Sequence, residues 1–230
     1  MTGAEQNVRA VARPGDRWPW GALKPFFYDL GVIDCPWPTK MRSPKGEGKS
    51  FARHYGAMSF EQIKKLPVGQ LFDRNAVLVM CCTSPLVLYG GDPEKHYKDA
   101  NAGRSLPGEC LHAWGFRYVG LVPWLKRRSK GGVAYGTGYR FASATEPFIV
   151  GITGSPLTVR QRNFIDGLAR EHSRKPEELY AWCENFVPGG RYVEIFSRTA
   201  RRGWDTWGEQ AGHYEPVVAL NAAPLVGSAA

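Results

Sequence analysis

Four residues, Asp34-Cys35-Pro36-Trp37, follow directly on the apolar run Phe26–Ile33. A strand ending this way sets a carboxylate, a fixed turn and a flat ring at one edge of a sheet. In open α/β sheets, ligands bind beyond the carboxyl ends of the strands. The chemistry these groups suit is transfer of a small electrophile to the exocyclic amine of a nucleobase. Such an amine is a poor nucleophile because its lone pair is delocalised into the ring. If Asp34 accepts one N–H and the main-chain carbonyl of Cys35 the other, the lone pair is turned toward the donor. Pro36 stiffens the turn, and Trp37 offers a stacking face worth about 1–3 kcal/mol per base. Catalysis of this kind is positioning plus electrostatics, with no metal and no covalent intermediate. A plain strand-to-loop turn with a surface acid is the competing reading.

The elements that must position this turn alternate along the chain. Buried strands are expected at Phe26–Ile33, Ala76–Cys82, Tyr118–Leu125, Pro147–Ile152 and Arg191–Ser197. Their near-continuous apolar runs suit a parallel sheet covered on both faces. Between them, Ser59-Phe60-Glu61-Gln62 reads as a capping box opening a helix that Pro67 closes. Helix is also expected at Pro85–Tyr89, resuming at Cys110–Gly115 after a polar insertion, and at Val159–Gly167. A last helix is expected at Pro176–Phe186, with Ser173 as its cap and Pro188-Gly189-Gly190 as its stop. Strand–helix alternation predicts an α/β fold with a doubly wound, mostly parallel sheet. The domain is expected over 25–214, after an N-terminal arm (1–24) and before an Ala/Pro/Val-rich, disordered tail (215–230).

Composition narrows the partners. A 230-residue chain with 43% hydrophobic residues can bury a sizeable core, and its net charge of +9 makes a polyanion the first ligand to consider. Lys40, Arg42, Lys45, Lys49 and Arg53 crowd one loop, Pro38–Tyr55. Arg117, Lys126, Arg127, Arg128 and Lys130 make a second basic group. Five cysteines without Cys-x-x-Cys spacing argue against a disulfide framework or a zinc site and fit a reducing compartment. No stretch is long and apolar enough to cross a membrane, so a cytoplasmic protein is expected.

The segment around Asp34 resembles the Asp-Pro-Pro-Trp motif of the MT-A-seventy family of S-adenosylmethionine-dependent adenine-N6 methyltransferases. The resemblance continues through Met58–Ile63, Ala76–Thr83, Gly115-Phe116-Arg117-Tyr118 and Trp124-Leu125-Lys126. It runs on through Glu146–Gly154, His172–Pro176, Val193–Arg198 and Gly203-Trp204 to Gln210, which covers residues 25 to 210 in order. It implies a Rossmann-like methyltransferase domain, permuted so that the catalytic motif precedes the main cofactor strand. It also implies S-adenosyl-L-methionine as cofactor and methylation of the N6 amine of adenine in nucleic acid. By this resemblance, Asp34, Cys35, Pro36 and Trp37 are the catalytic set, and Asp34 and Cys35 also face the methionine end of the cofactor. Glu194, Ile195, Phe196 and Arg198, with Glu209 and Gln210, would line its ribose and adenosine side. Ser173, Lys175 and Pro176 would receive its carboxylate. Trp37, Trp124, Lys126, Arg127 and Arg128, with the basic loop residues Lys40, Arg42, Lys45, Lys49 and Arg53, would face the nucleic acid.

Bland alternatives stand beside several of these roles. Glu194 suits a strand-end acid paired with Arg191 or Arg198, Lys175 a solvated first-turn lysine, and Trp124 a core residue. Cys35 departs from the family's first proline but keeps the carbonyl the chemistry needs. Phe141–Glu146 carries small residues, with Thr145 where some relatives have a lysine. A cytosine-C5 methyltransferase is disfavoured, because its thiolate nucleophile follows a proline whereas Cys35 precedes one. The compact chain resembles the stand-alone bacterial and bacteriophage members, which favours DNA over RNA and a monomer or homodimer without an obligate partner. An RNA methyltransferase, or an inactive nucleic-acid-binding paralogue, is the alternative.

Overall fold

The computed structural model describes residues 18–37, 58–87, 105–136, 140–171, 174–209, 211, 212 and 214. Within them the chain forms β1 (Tyr28–Ile33), α1 (Phe60–Lys64), β2 (Phe72–Cys81), α2 (Leu106–Ala113), β3 (Arg117–Arg127) and β4 (Thr145–Thr153). It continues with β5 (Ile165–Leu168), α3 (Glu177–Phe186), β6 (Tyr192–Ile195) and β7 (Trp204–Trp207). The strands make a seven-stranded sheet in the order β5-β3-β4-β2-β1-β6-β7. Every neighbouring pair is parallel except the two that involve β4, which is antiparallel to both β2 and β3.

The apolar runs are explained by burial on both faces. Along β2, Ala76, Leu78 and Met80 join one core cluster, with Ile63 of α1 and Leu106, Cys110 and Leu111 of α2. Val77, Val79 and Cys81 face the other way, into a second cluster with Leu179, Tyr180 and Cys183 of α3. Successive side chains of a strand point to opposite faces, so a strand covered on both must be apolar at every position. The fold is thus mixed α/β, as expected, with a mostly parallel sheet that has an apolar cluster on each face. Gly31 is needed where β1 crosses Phe72: a Cβ there would lie 2.4 Å from the Phe72 ring, which is itself fully buried.

The capping box forms as read, with the Ser59 side chain accepting from the Gln62 N–H and the Gln62 side chain accepting from the Ser59 N–H. Four expectations are corrected. Residues 159–164 form no helix, and Ile165–Leu168 is an edge strand whose Ile165 and Gly167 alone are buried, too short a stretch for alternation to be seen in sequence. Trp204–Trp207 adds a strand beyond β6. The N-cap of α3 is Pro176, without a side-chain cap bond, while Ser173 lies outside the described residues. Of the helix expected at Pro85–Tyr89, the described residues, which end at Val87, form only the 3-10 turn Ser84–Leu86.

The sheet order decides where a site can be. From β1 the chain moves to β2 on one side, while from β6 it moves to β7 on the other. The carboxyl ends of β1 and β6 therefore flank the point where the winding reverses, the usual ligand crevice of such sheets. Ile33, the last residue of β1, is in register with Ile195, the last of β6.

Candidate active site

Asp34 is the first residue past the end of β1, its N–H directed at the Ile195 carbonyl at 3.4 Å. Pro36 has no N–H to continue the ladder, and the Trp37 N–H closes a tight turn onto the Cys35 carbonyl at 2.8 Å. That carbonyl keeps a second lone pair. The Trp37 ring is buried and its indole N–H donates to the Cys81 carbonyl at 3.0 Å. In this conformation the ring braces the turn against β2 and is not an open stacking face. The Cys35 thiol is buried too, and burial pushes its ionisation well above the usual range, with Cys110 and Asp34 adding to the effect. Sulfur is therefore held as the inert thiol, consistent with setting aside a thiolate mechanism.

The Asp34 carboxylate, 18% exposed, lies 3.0 Å from the ammonium of Lys175, which is 6% exposed. The same ammonium lies 2.5 Å from Glu146, and the other oxygen of Glu146 lies 3.0 Å from Lys126. Four charges thus run in a line: Asp34, Lys175, Glu146, Lys126. Lys175 is neither a solvated lysine nor a free receptor for an anion, because two of its three donors are committed to carboxylates. Glu146 reaches this edge because β4 runs antiparallel. The start of an antiparallel strand lies beside the ends of its parallel neighbours.

The two acids are held differently. Burial raises both, but Glu146 has two lysines, and they overcome the burial and hold its carboxyl at about 2. Asp34 shares a single lysine with Glu146, so burial wins, with the Glu146 charge adding to it, and its carboxyl is raised above the ordinary range. Lys175 is itself pulled down by burial and pushed up further by Asp34, Cys81 and Glu146, so it stays a cation.

Glu194, near the end of β6, is buried with both oxygens engaged. Tyr180 donates to one at 2.9 Å and the Ser197 hydroxyl is 2.8 Å from the other. Arg191 is not its partner; that guanidinium grips Asp29 at 2.6 Å and Asp73 at 2.9 Å. Burial raises the Glu194 carboxyl to about 7, against the pull of the Ser197 and Tyr180 hydrogen bonds. The protonated acid also completes the local network. It can donate to the Ser197 oxygen, which frees the Ser197 hydroxyl for the Thr199 carbonyl at 2.9 Å. The folded state then binds a proton that the unfolded chain releases, so stability falls as pH rises between the ordinary carboxyl value of 4.5 and about 7. Glu194→Gln, which presents the same donor and acceptor at every pH, is expected to fold and to flatten that decline in thermal melts from pH 5 to 8.

Phe196 follows at a backbone φ of 61°, in the left-handed region rare for a non-glycine residue, and turns the chain away from the sheet at the crevice. Arg198 lies close enough to Asp34 to favour its charged form and stacks over Tyr214 at 5.1 Å. Ile195 is buried in the core, Pro176 is buried at the start of α3, and Glu209 is exposed just past β7. Gln210 lies outside the described residues, as do Lys40, Arg42, Lys45, Lys49 and Arg53.

Three residues expected to face nucleic acid are otherwise engaged. Trp124 is a core residue, stacked on Phe148 at 6.4 Å with its N–H on the Gly167 carbonyl at 2.9 Å. Lys126 is bound to Glu146, and its ammonium lies 5.0 Å from the Trp124 ring centre. Arg127 makes a two-pronged contact with Asp166 at 2.6 and 2.7 Å. Arg128 is exposed beside Tyr135. Arg117 opens β3 and Arg127 closes it, so Arg117 stands about 30 Å from the others and belongs to no common group. Glu146 is the residue that sequence reasoning missed as part of the site.

Among the described residues all five cysteines are free and buried, no helix is long and apolar enough to cross a membrane, and no group of His, Cys, Asp or Glu side chains is placed to hold a metal.

The MT-A70 (MT-A-seventy) family model matches residues 28–210. A putative N(6)-adenosine-methyltransferase MT-A70-like protein of Medicago truncatula is 31% identical over 189 residues, covering 79% of this chain and 26% of its own length. The human N(6)-adenosine-methyltransferase catalytic subunit METTL3 is 26% identical over 186 residues, 78% of this chain and 27% of its own. The human N(6)-adenine-specific methyltransferase METTL4 is 24% identical over 203 residues, 83% of this chain and 39% of its own. The chain therefore spans only 26% to 39% of the length of these relatives. They are plant and animal proteins, and they give no support to a specifically bacterial or bacteriophage type.

Proposed function

The chain belongs to the MT-A70 family, and we propose that it transfers a methyl group from S-adenosylmethionine to the N6 amine of adenine in nucleic acid. The observation that carries this reading is the position of Asp34. A half-buried carboxylate stands at the reversal point of the sheet, beside a free lone pair on the Cys35 carbonyl and over a buried lysine. The two oxygens would accept the two N–H groups of the amine and orient its lone pair outward. Lys175 keeps Asp34 able to ionise in a site that would otherwise favour the neutral acid, and Glu146 and Lys126 hold Lys175 in place.

The cofactor supplies an electrophilic methyl group on a sulfonium. The crevice suits it chemically. Asp34 offers a negative charge to the sulfonium end, Phe196 offers an apolar wall, and exposed Glu209 offers an acceptor for a sugar hydroxyl. Glu194, with both oxygens engaged, would brace this wall and not touch the sugar.

Of the two substrate classes, DNA is the reading carried from the sequence. RNA is the second, favoured by the higher identity to relatives named for adenosine. A tritiated-methyl assay with double-stranded DNA, single-stranded DNA and RNA of one sequence decides between them. Label is expected in adenine of one of these. No label in any, with cofactor bound, would leave a binding protein without transferase activity.

A further inference from the structure

A second charged cluster lies beside the one described, where the connection from β5 to α3 meets the connection from β6 to β7. Arg170 binds Glu177 in the first turn of α3 at 2.6 Å. Arg201 binds the other oxygen of the same Glu177 from the far side and lies over the Tyr180 ring at 4.1 Å. Arg174, next to Lys175, reaches Glu171 at 3.2 Å and stacks on Tyr214 at 4.7 Å. The three guanidinium side chains are only 13% to 22% exposed. Burial draws the Arg201 cation down to about 10, and Arg170 and Arg174 crowd it further. Two carboxylates face three cations here, and among the described residues the buried Nε atoms of Arg174 and Arg201 have no hydrogen-bond acceptor.

A group that brings negative charge and several acceptor oxygens to the partly exposed guanidinium side chains would relieve the crowding of cations. A phosphodiester fits best. It presents two charged oxygens to guanidinium forks, whose planar donor geometry matches phosphate. We propose that Arg170, Arg174 and Arg201 form a binding site for a backbone phosphate of the nucleic-acid substrate near its target adenine. This rests on the function proposed above. A clasp between two chain connections would use the same Glu177 contacts, but it would need only the two arginines that grip Glu177 and not a third cation beside them.

The test is a fluorescence-anisotropy titration of the full chain with labelled DNA and RNA oligonucleotides containing one adenine, in which each phosphate in turn is replaced by an uncharged methylphosphonate. In the wild type, one or two linkages near the adenine are expected to weaken binding about five- to tenfold when neutralised. Arg174→Gln and Arg170→Gln are each expected to weaken the all-phosphate oligonucleotide similarly and to become insensitive at those linkages. Each should also lower the slope of log affinity against log salt by about 0.9. A purely structural clasp would leave the linkage sensitivity in place. If one variant fails to fold, the other and the wild-type scan still decide. The proposal is overturned if no linkage matters in the wild type, or if the variants keep its pattern. It is also overturned if calorimetry shows that the variants lose S-adenosylmethionine affinity while nucleic-acid affinity is kept, which would assign the cluster to the cofactor carboxylate. A wild type that binds no nucleic acid at all would sink the proposed function itself.

Discussion

Asp34→Ala is expected to abolish methyl transfer, lowering kcat by on the order of 10³-fold or more, while leaving the protein folded. Removing one preorganised partner of the reacting group from such a site costs about 10²–10³ in rate. Here the same side chain would also set the amine's orientation. Folding should survive for a reason visible in the structure. The Asp34 carboxyl is raised above its ordinary range, so the folded state does not favour its ionised form, and deleting it gives up no linked stability near neutral pH. Lys175 keeps Glu146 as a partner at 2.5 Å. The measurements are single-turnover methyl transfer and a thermal melt. Transfer at an unchanged rate in a folded variant would remove Asp34 from the mechanism.

Lys175→Met is expected to be damaging in two separable ways. Taking one partner from a buried ion pair destabilises by about 3–5 kcal/mol, because the remaining charges are left uncompensated. The two acids that shared the ammonium would then face each other without it, and like charges at one site raise the ionisation of at least one partner. If activity needs the charged form of Asp34, the acid limb of the pH–rate profile should move to higher pH, with kcat lost at pH 7 and partly recovered in alkaline buffer. Adding Glu146→Gln to the Lys175→Met protein removes one of the two facing acids. The double variant should therefore be more stable in urea than the single one, and its acid limb should move back. A lysine that serves only packing would give the loss of stability without the shift in profile, which would overturn the positioning role.

Much of the framework follows from local rules. The apolar stretches Leu30–Ile33 of β1 and Ala76–Cys81 of β2 announce strands covered on both faces, and the Ser59 capping box announces the start of α1. Asp34-Cys35-Pro36-Trp37 marks the end of β1 by its turn chemistry alone. The short edge strand β5 and the terminal strand β7 were not legible as strands. Each has four residues and only partial burial, so neither repeats a pattern long enough to separate from a loop or a helix end.

Asp34 at a strand end, a basic chain and a mostly parallel α/β sheet were determined by the amino-acid sequence alone, because residue type, turn propensity and hydrophobic period act within a few neighbours. The direction of β4 was decided only in three dimensions. Antiparallel pairing brings Glu146 to the edge where Asp34, Lys175 and Lys126 end, and no local signal carries the direction of a strand relative to partners 67 to 77 and 20 to 35 residues away. The fates of Trp37, Trp124 and Lys126 were settled the same way. Aromatic and lysine side chains suit a ligand or a core equally well, and burial and ion pairing made by distant segments chose the core and the buried charge line.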